Sequence, residues 1–411
     1  MNKPRHDAGK GINRVAGQSP DQSDASASDD HSDPFVDLAP YGLTEPVSDL
    51  FAEITASDPE LVPGRVVRLD GISTSVHAGS RDYRAVSTYA IFAQPGGSEL
   101  DSEAGIEPAQ PTVGDWVLVR PGHDNEPDRI ELVLPRTSLL TRKRVMRGKE
   151  QGDEQLLAAN VTTVFIVQSA TYFNVARLDR EIALVWGSGS VPVVVLSKSD
   201  LLEKADAVAV TELAESAAPE IEVFAVSGIT GEGTDTLRPF TATGKTVVLI
   251  GASGVGKSTL VNQLMGEDVM DTGEIREADD RGRHTTTTRQ LLPLPGGGVL
   301  IDSPGIRTIA LAAGSEEAIA KTFSEVEGYF GKCKFRNCTH EGEPGCAIAE
   351  AIADGSLLKS RFDSYRRMQR ELQHEHTKNE PGSQTDHQVR MRIIAKSHRQ
   401  QNRLDRQRES E

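Results

Sequence analysis

The sequence predicts three unlike domains in one chain: a small all-β barrel, an α/β domain around a largely parallel sheet, and a short helical domain built on a cysteine cluster. Three observations carry this expectation. Short alternating strands broken by Gly, Pro and Asp turns run through residues 61–140, and continuous apolar runs with helical spacers run through 155–312. All three cysteines of the 411-residue chain fall between Cys333 and Cys346. A chain of this length holds two or three cores.

Residues 1–60 are rich in Ser, Asp, Gly and Pro, with too few large apolar groups to offset the entropy of ordering them, and are expected to form a disordered acidic tail. The barrel follows at 61–140, its strands read from "PGRVVRLDGISTSVHAG", "YRAVSTYAIFA", "GDWVLVRP" and "RIELVLPR". A Gly-, Glu- and Pro-rich loop interrupts it between Gln94 and Pro111, and residues 141–154 read as a basic linker. In the α/β domain at 155–312, "VTTVFIVQSA", "VPVVVLSKSD", "IEVFAVSG", "KTVVLIGASG" and "GGVLIDSPG" are apolar without polar alternation, as strands buried on both faces require. Helical segments such as "LDREIALVWGSG" and "AVAVTELAESA" lie between them, which makes the domain doubly wound. Residues 313–376 are expected to be helical around the cysteines, with a basic helix "LLKSRFDSYRRMQRELQ", and 377–411 to form a basic disordered tail.

No apolar run approaches the length of a membrane-spanning helix, and Met1 to Asp30 contains no hydrophobic signal region. A cytoplasmic chain without membrane partners is expected, and a monomer. A net charge of −16 argues against nucleic acid, yet the charge is unevenly spread. Residues 1–60 carry 4 basic and 12 acidic side chains, a net −8, whereas Ser356 to the end carries 13 basic and 8 acidic, a net +5. The segment "RTSLLTRKRVMRGK", Arg136 to Lys149, has six Lys or Arg and no acid. Such a run is either a solvated linker or a phosphate-binding patch.

"GASGVGKST" fits G-x-x-x-x-G-K-[ST], directly after the strand "KTVVLI" and opening into the helical "STLVNQLMG". Backbone N–H groups of such a loop converge on phosphates, and the helix N-terminus adds its positive end. The candidate cradle is Gly251, Ala252, Ser253, Gly254, Val255, Gly256, Lys257, Ser258 and Thr259. Lys257 neutralises the outer phosphates and the Ser258 hydroxyl ligates Mg²⁺. In "VLIDSPG", Asp302 can hold Mg²⁺ through water and the Gly305 N–H can sense a γ-phosphate. "RGRHTTTTRQ" offers threonines for a loop that closes over Mg²⁺, with Thr286 the first choice of ligand and Thr285 beside it.

A carboxylate at a strand end accepts both Watson–Crick N–H groups of guanine, and Asp200 of "SKSD" suits that role, with the Lys198 stem over the base. Ser227 and Gly228, ending "AVSG", would present a backbone N–H to the guanine carbonyl. Taken alone, "SKSD" equally caps the helix after it. Together with the phosphate loop, these residues favour GTP over ATP. The base-reader nevertheless precedes the phosphate loop, the reverse of the usual order. A circular permutation explains this: the domain is cut before "VTTVFIVQSA" and its natural ends are joined through "GITGEGTDTLRPFTATG", so each strand keeps its place.

Cys333, Cys338, His340 and Cys346 form C-x₄-C-x-H-x₅-C, a Cys₃His set for one tetrahedral Zn²⁺. Four protein ligands leave no open position, so the metal is structural and pins a lobe too short for a core of its own.

These motifs in this order resemble the RsgA (YjeQ) family of circularly permuted GTPases dependent on the small ribosomal subunit. The resemblance covers roughly residues 61–375 and rests on "GASGVGKST", "GRHTTTTR", "DSPG", "CKFRNCTHEGEPGCAI" and "LPRTSLLTRK". It implies an OB-fold barrel, a permuted P-loop GTPase domain and a zinc-binding helical domain, the outer two gripping rRNA. It also implies a role in late subunit maturation, with slow GTP hydrolysis stimulated by the subunit.

Two positions depart from common GTPase patterns. Ile306 follows D-x-x-G where many GTPases carry a water-orienting Gln, and an aliphatic side chain cannot position water. The resemblance gives that work to His284, beside Lys257 and Thr286 as catalytic residues. Ser197 stands where the guanine motif usually begins with Asn, and the lost amide is expected to remove hydrogen bonds tying the base-reader to the phosphate loop. The leading expectation is a GTP hydrolase acting on the small subunit, with Arg136, Arg142, Lys143, Arg144 and Arg147 as RNA contacts. The alternative is a nucleotide-gated rRNA-binding scaffold in which hydrolysis is incidental, supported by Ile306 and Ser197. An ATP-driven motor or kinase is weakened by Asp200 and the Ser227 loop.

Overall fold

The computed structural model describes residues 37–87, 110–124, 126–143, 154–270, 289–302 and 315–379. The tail to residue 36, Arg144, Arg147, His284, Thr285, Thr286, Gly305 and Ile306 lie outside the described residues.

Five strands close the barrel: β1 (Val62–Asp70), β2 (Ser73–Ala78), β3 (Arg81–Ser87), β4 (Trp116–Arg120) and β5 (Arg129–Val133). Their pairing runs β1-β2-β3-β5-β4 and returns to β1, with β3 and β5 parallel and the other pairs antiparallel. This is the OB-like barrel expected. Alternation places Val66, Val76, Tyr83, Ala85, Val117, Val119 and Ile130 inside.

The first departure from expectation lies before the barrel. Part of the stretch read as a disordered tail is helix α1 (Glu45–Ser57), which opens on a Pro in its first turn. Its Phe51 is fully buried, edge-on to Trp116 at 6.0 Å, and Leu38, Leu118 and Leu134 complete the cluster. Burying two aromatics and several leucines stabilises this segment by several kcal/mol, at about 25 cal/mol per Å². The low apolar content averaged over 60 residues concealed it.

The span read as a basic linker is described only at its ends. Its ends are strands β6 (Leu139–Lys143) and β7 (Glu154–Ala159), an antiparallel pair whose Leu140, Leu157 and Ala158 enter the main core. Those core residues flank the charged run, of which 144–153 lie outside the described residues.

The α/β domain contains β8 (Thr163–Ser169), β9 (Val191–Ser197), β10 (Val223–Ala225), β11 (Thr246–Ile250), β12 (Gln290–Pro293) and β13 (Val299–Asp302). Their order across the sheet is β10-β9-β8-β11-β13-β12, all parallel except β12. Followed from β11, the sheet grows first through β12 and β13 and then through β8, β9 and β10. The chain runs that course with its last three strands first, which is the permuted order. Helices α2 (Val175–Gly187), α3 (Lys204–Ala217) and α4 (Lys257–Met265) belong to this domain. Asn174 caps α2 by accepting the Arg177 N–H at 2.9 Å.

Arg68 opposite Gln290 joins β1 to the sheet edge at β12. Arg65, 1% exposed, fastens the two domains more firmly. It donates to the Gly114 carbonyl at 3.2 Å, to the Thr246 hydroxyl at 2.9 Å and to the Tyr41 carbonyl, and lies over the Trp116 ring at 4.6 Å. Burial pushes its guanidinium down to about 9, so it remains a cation at neutral pH.

The C-terminal lobe is helical: α5 (Ser315–Thr322), α6 (Ser324–Glu327), α7 (Ala347–Asp354) and α8 (Lys359–Asn379), the last running past the boundary expected at 376. Arg361 of α8, 3% exposed, pairs with buried Asp179 of α2, with Glu325 at 2.6 Å and with the Thr322 carbonyl at 2.9 Å. Arg180 forks onto Glu371 at 2.8 and 2.9 Å. No helix among the described residues is long and apolar enough to cross a membrane.

Candidate functional site

The phosphate loop leaves β11 at Gly251, where φ is +145° and an added Cβ would sit 2.2 Å from the Val167 carbonyl of β8. No other residue fits there. Gly254 and Gly256 also have positive φ, +78° and +93°, and α4 starts at Lys257. The Lys257 ammonium donates to the carbonyls of Gly251 at 2.9 Å and Ala252 at 2.7 Å, which holds it over the loop.

Ser197 ends β9 beside this loop. Its hydroxyl has two acceptors, the Gln168 carbonyl at 3.1 Å and the Val255 carbonyl in the phosphate loop. The expected loss of the tie between base-reader and phosphate loop is therefore corrected: the serine hydroxyl makes that tie, with one proton serving two acceptors. Lys198 turns the chain with φ +61°, a left-handed conformation unusual for a side-chain-bearing residue, and its Cε lies 3.8 Å from a Cβ position on Gly256. Asp200 follows in a short 3₁₀ turn, Ser199–Leu201.

The third loop closes on the same helix. Ser227 is fully buried, its hydroxyl accepting the Thr230 N–H at 3.1 Å. A Cβ on Gly228 would lie 3.1 Å from the Leu260 nitrogen and 3.2 Å from Thr259. Ser197, Lys198 and Gly228 are thus brought against the phosphate loop and the start of α4, with Asp200 in the turn that follows Lys198. Asp302 ends β13, and burial pushes its carboxyl up to about 6.

In the C-terminal lobe the ligand atoms of Cys333, Cys338, His340 and Cys346 lie within 4.8 Å of one another. His340 Nδ1 is 3.5 Å from Cys333 Sγ and 3.4 Å from Cys346 Sγ. A tetrahedron with Zn–S near 2.3 Å and Zn–N near 2.0–2.1 Å has S···N edges of about 3.6 Å, so the donor set fits Zn²⁺. Glu343, which sequence reasoning passed over although it lies between the ligands, braces the turn. Its carboxylate accepts N–H groups from Thr339 at 2.9 Å and Glu341 at 2.8 Å, and the Thr339 hydroxyl at 2.5 Å. The Thr339 hydroxyl first, then these N–H groups, hold its carboxyl down to about 2. The turn they enclose sets His340 at φ +59°.

Of the expected RNA contacts, Arg136 is otherwise occupied. It forks onto buried Asp115 at 2.7 Å from two nitrogens and donates to the Gln110 carbonyl at 2.7 Å. It is a brace within the protein and is corrected on that ground: a buried carboxylate is satisfied by the nearest guanidinium before any outside phosphate. Arg142 donates to Gln155 at 2.8 Å, and Lys143 ends β6. The barrel carries a row that sequence reading missed, Arg68, Ser75 and Arg84, opposite one another on β1, β2 and β3. Arg84 is exposed and Arg68 half-exposed. Strand register across three strands was the missing signal.

Residues 133–312 match the family model described as RsgA GTPase. A small ribosomal subunit biogenesis GTPase RsgA 2 of Lactiplantibacillus plantarum is 38% identical over 342 residues, covering 83% of this chain and 90% of that relative. The chain belongs to the RsgA GTPase family. A small ribosomal subunit biogenesis GTPase RsgA of Streptomyces avermitilis is 41% identical over 82% of the chain and 86% of its own length. The crystal structure of YjeQ from Thermotoga maritima superposes with a TM-score of 0.53 at 26% identity, over 76% of this chain and 98% of that one. YloQ, described as a circularly permuted GTPase, shares the fold with a TM-score of 0.51 at 22% identity, over 77% and 96%. As a family member the chain is an enzyme that hydrolyses GTP.

Proposed function

We propose that this GTPase binds the small ribosomal subunit through its rRNA, acts late in subunit maturation, and hydrolyses GTP when the subunit completes its water-positioning arrangement. The observation that carries the nucleotide part is the Ser197 hydroxyl on the Val255 carbonyl, which brings the guanine-reading turn onto the phosphate loop. The partner is taken from relatives named as small ribosomal subunit biogenesis GTPases.

In this reading Asp200 accepts the guanine N–H pair, Lys198 covers one face of the base, and the Ser227–Gly228 turn donates to its carbonyl. Loop N–H groups from Gly251 to Thr259 hold the phosphates, for which the Lys257 ammonium exchanges its two carbonyl partners. Water attacks the γ-phosphorus in line with the departing bridging oxygen, and Lys257 with the loop amides stabilises the charge that develops. Ser258, Thr286 and, through water, Asp302 would hold Mg²⁺, which neutralises charge on the β- and γ-phosphate oxygens when bound. Gly305 senses the γ-phosphate, and His284 and the subunit position the attacking water in place of a glutamine. Zn²⁺ on Cys333, Cys338, His340 and Cys346 is structural.

The barrel at 61–140, the GTPase domain at 155–312 and the metal lobe at 313–376 divide the work: the outer two read the subunit and the middle one times release. On the barrel the row Arg68, Ser75, Arg84 joins Arg142 and Lys143 as the RNA-contact set, since OB-type barrels use the faces of their second and third strands. The test is GTP and ATP turnover with and without purified small subunits. GTP turnover that rises many-fold only with subunits supports the reading; subunit binding with unchanged turnover supports a scaffold instead.

A further inference from the structure

The phosphate loop rests on the end of β8, and what holds that end is a chain of buried polar groups outside every nucleotide motif. The Val167 carbonyl faces Gly251, and the next carbonyl, of Gln168, accepts from Ser197. The Gln168 side chain, itself buried, is gripped at both ends. Its oxygen accepts the N–H of Asn174, the residue that caps α2, at 3.1 Å, and its nitrogen donates to Glu181 Oε2 at 3.2 Å. Glu181 Oε1 in turn accepts from Arg177 one helical turn earlier, at 2.8 Å.

We propose that Glu181 and Gln168 are positioning residues for the nucleotide site: they fix the strand end that supports Gly251 and aims the Ser197 hydroxyl, which lets a serine serve where an asparagine is usual. Resting on the nucleotide reading above, the proposal extends it to residues that touch no nucleotide atom.

The chemistry is consistent from end to end. A serine hydroxyl has one proton and free rotation, whereas an asparagine amide has two donors in a fixed plane. A single rotatable donor holds a loop only if its surroundings are rigid, and Gln168 is made rigid by having both amide atoms engaged. A glutamine in a strand interior would be unstable without such partners, and a buried glutamate would be worse. Burial pushes the Glu181 carboxyl up, while the Arg177 guanidinium, the Gln168 amide and the Lys257 ammonium pull it back, so the phosphate-loop lysine lies near enough for its charge to be felt.

The test is a double-mutant cycle read by the dissociation constant of a fluorescent GDP, with GTP turnover for the split between KM and kcat. Glu181→Leu and Ser197→Ala should each weaken GDP about five- to tenfold, and the double variant no more than about tenfold, because both break one chain. Glu181→Gln should restore affinity to within about twofold, since a carboxamide oxygen still accepts from Gln168. The effect should fall on KM more than on kcat. Should Glu181→Leu fail to fold, Arg177→Met on the solvent side of the chain replaces it in the cycle, with a two- to threefold single effect. Effects that multiply in the double variant, or a Glu181→Leu protein with unchanged GDP affinity, would overturn the proposal. Failure of the unaltered protein to bind GDP would instead sink the nucleotide reading itself.

Discussion

The metal knuckle and the nucleotide cradle contrast in how their parts are gathered. Four candidate metal ligands come from one short loop between Cys333 and Cys346, and a single carboxylate, Glu343, braces the turn between them. The cradle draws on the ends of β8, β9, β10, β11 and β13, and depends on close approaches of backbone such as Gly251 against Val167. A site built from one loop requires its metal to hold it together, whereas a site built from strand ends inherits its geometry from the sheet. The lobe should therefore depend on its ligand for folding, and the cradle should not.

Removing the metal should produce the largest effect. Chelation, or Cys338→Ser, forfeits a binding energy on the order of 10 kcal/mol that is also folding energy for the lobe. Amide exchange in α7 and α8 should accelerate strongly, while GDP affinity changes less than about threefold. Equal loss in both regions would erase the contrast.

The next effect lies where the lobe meets the GTPase domain. Arg361→Met leaves Asp179 buried and unpaired, which costs about 3–5 kcal/mol in urea unfolding. Burial already pushes the Asp179 carboxyl up, against the pull of Arg361, so the carboxylate depends on that partner.

Gly251→Ala should act in the opposite sense from metal removal. A Cβ 2.2 Å from the Val167 carbonyl displaces the loop, so GDP binding should fall at least a hundredfold, about 3 kcal/mol, with full zinc content by elemental analysis. A normal GDP affinity in this variant would show that the loop is not held by the sheet.

The smallest effect separates two kinds of arginine. Arg84→Glu should weaken subunit binding and reduce its salt slope by about one, without changing stability. Arg136→Gln should do the reverse, since it strips buried Asp115 of its fork.

The same contrast governs what could be read in advance. The knuckle and the phosphate loop are short, contiguous motifs whose chemistry is written in residue spacing, and the parallel strands are visible as apolar runs. Ser197 appeared deficient because its partners, the carbonyls of Gln168 and Val255, come from another strand and from the phosphate loop. Glu181 reads as an ordinary helix residue until β8 is placed beside it. Arg136 reads as a free cation until Asp115 is found buried against it. Helix α1 was hidden by composition averaged over an acidic stretch, although Leu38 and Phe51 were enough to seat it on Trp116.

In the proposed function the guanine-reading turn and the phosphate loop serve one nucleotide. Asp200→Asn tests it, because the amide offers xanthine's second carbonyl the donor that guanine's amino group does not need. Affinities for GDP and XDP should be measured for both proteins by competition against a fluorescent nucleotide. The variant should lose GDP affinity by at least about thirtyfold, roughly 2 kcal/mol, and gain XDP affinity by a similar factor. An unchanged preference for GDP over XDP would contradict it.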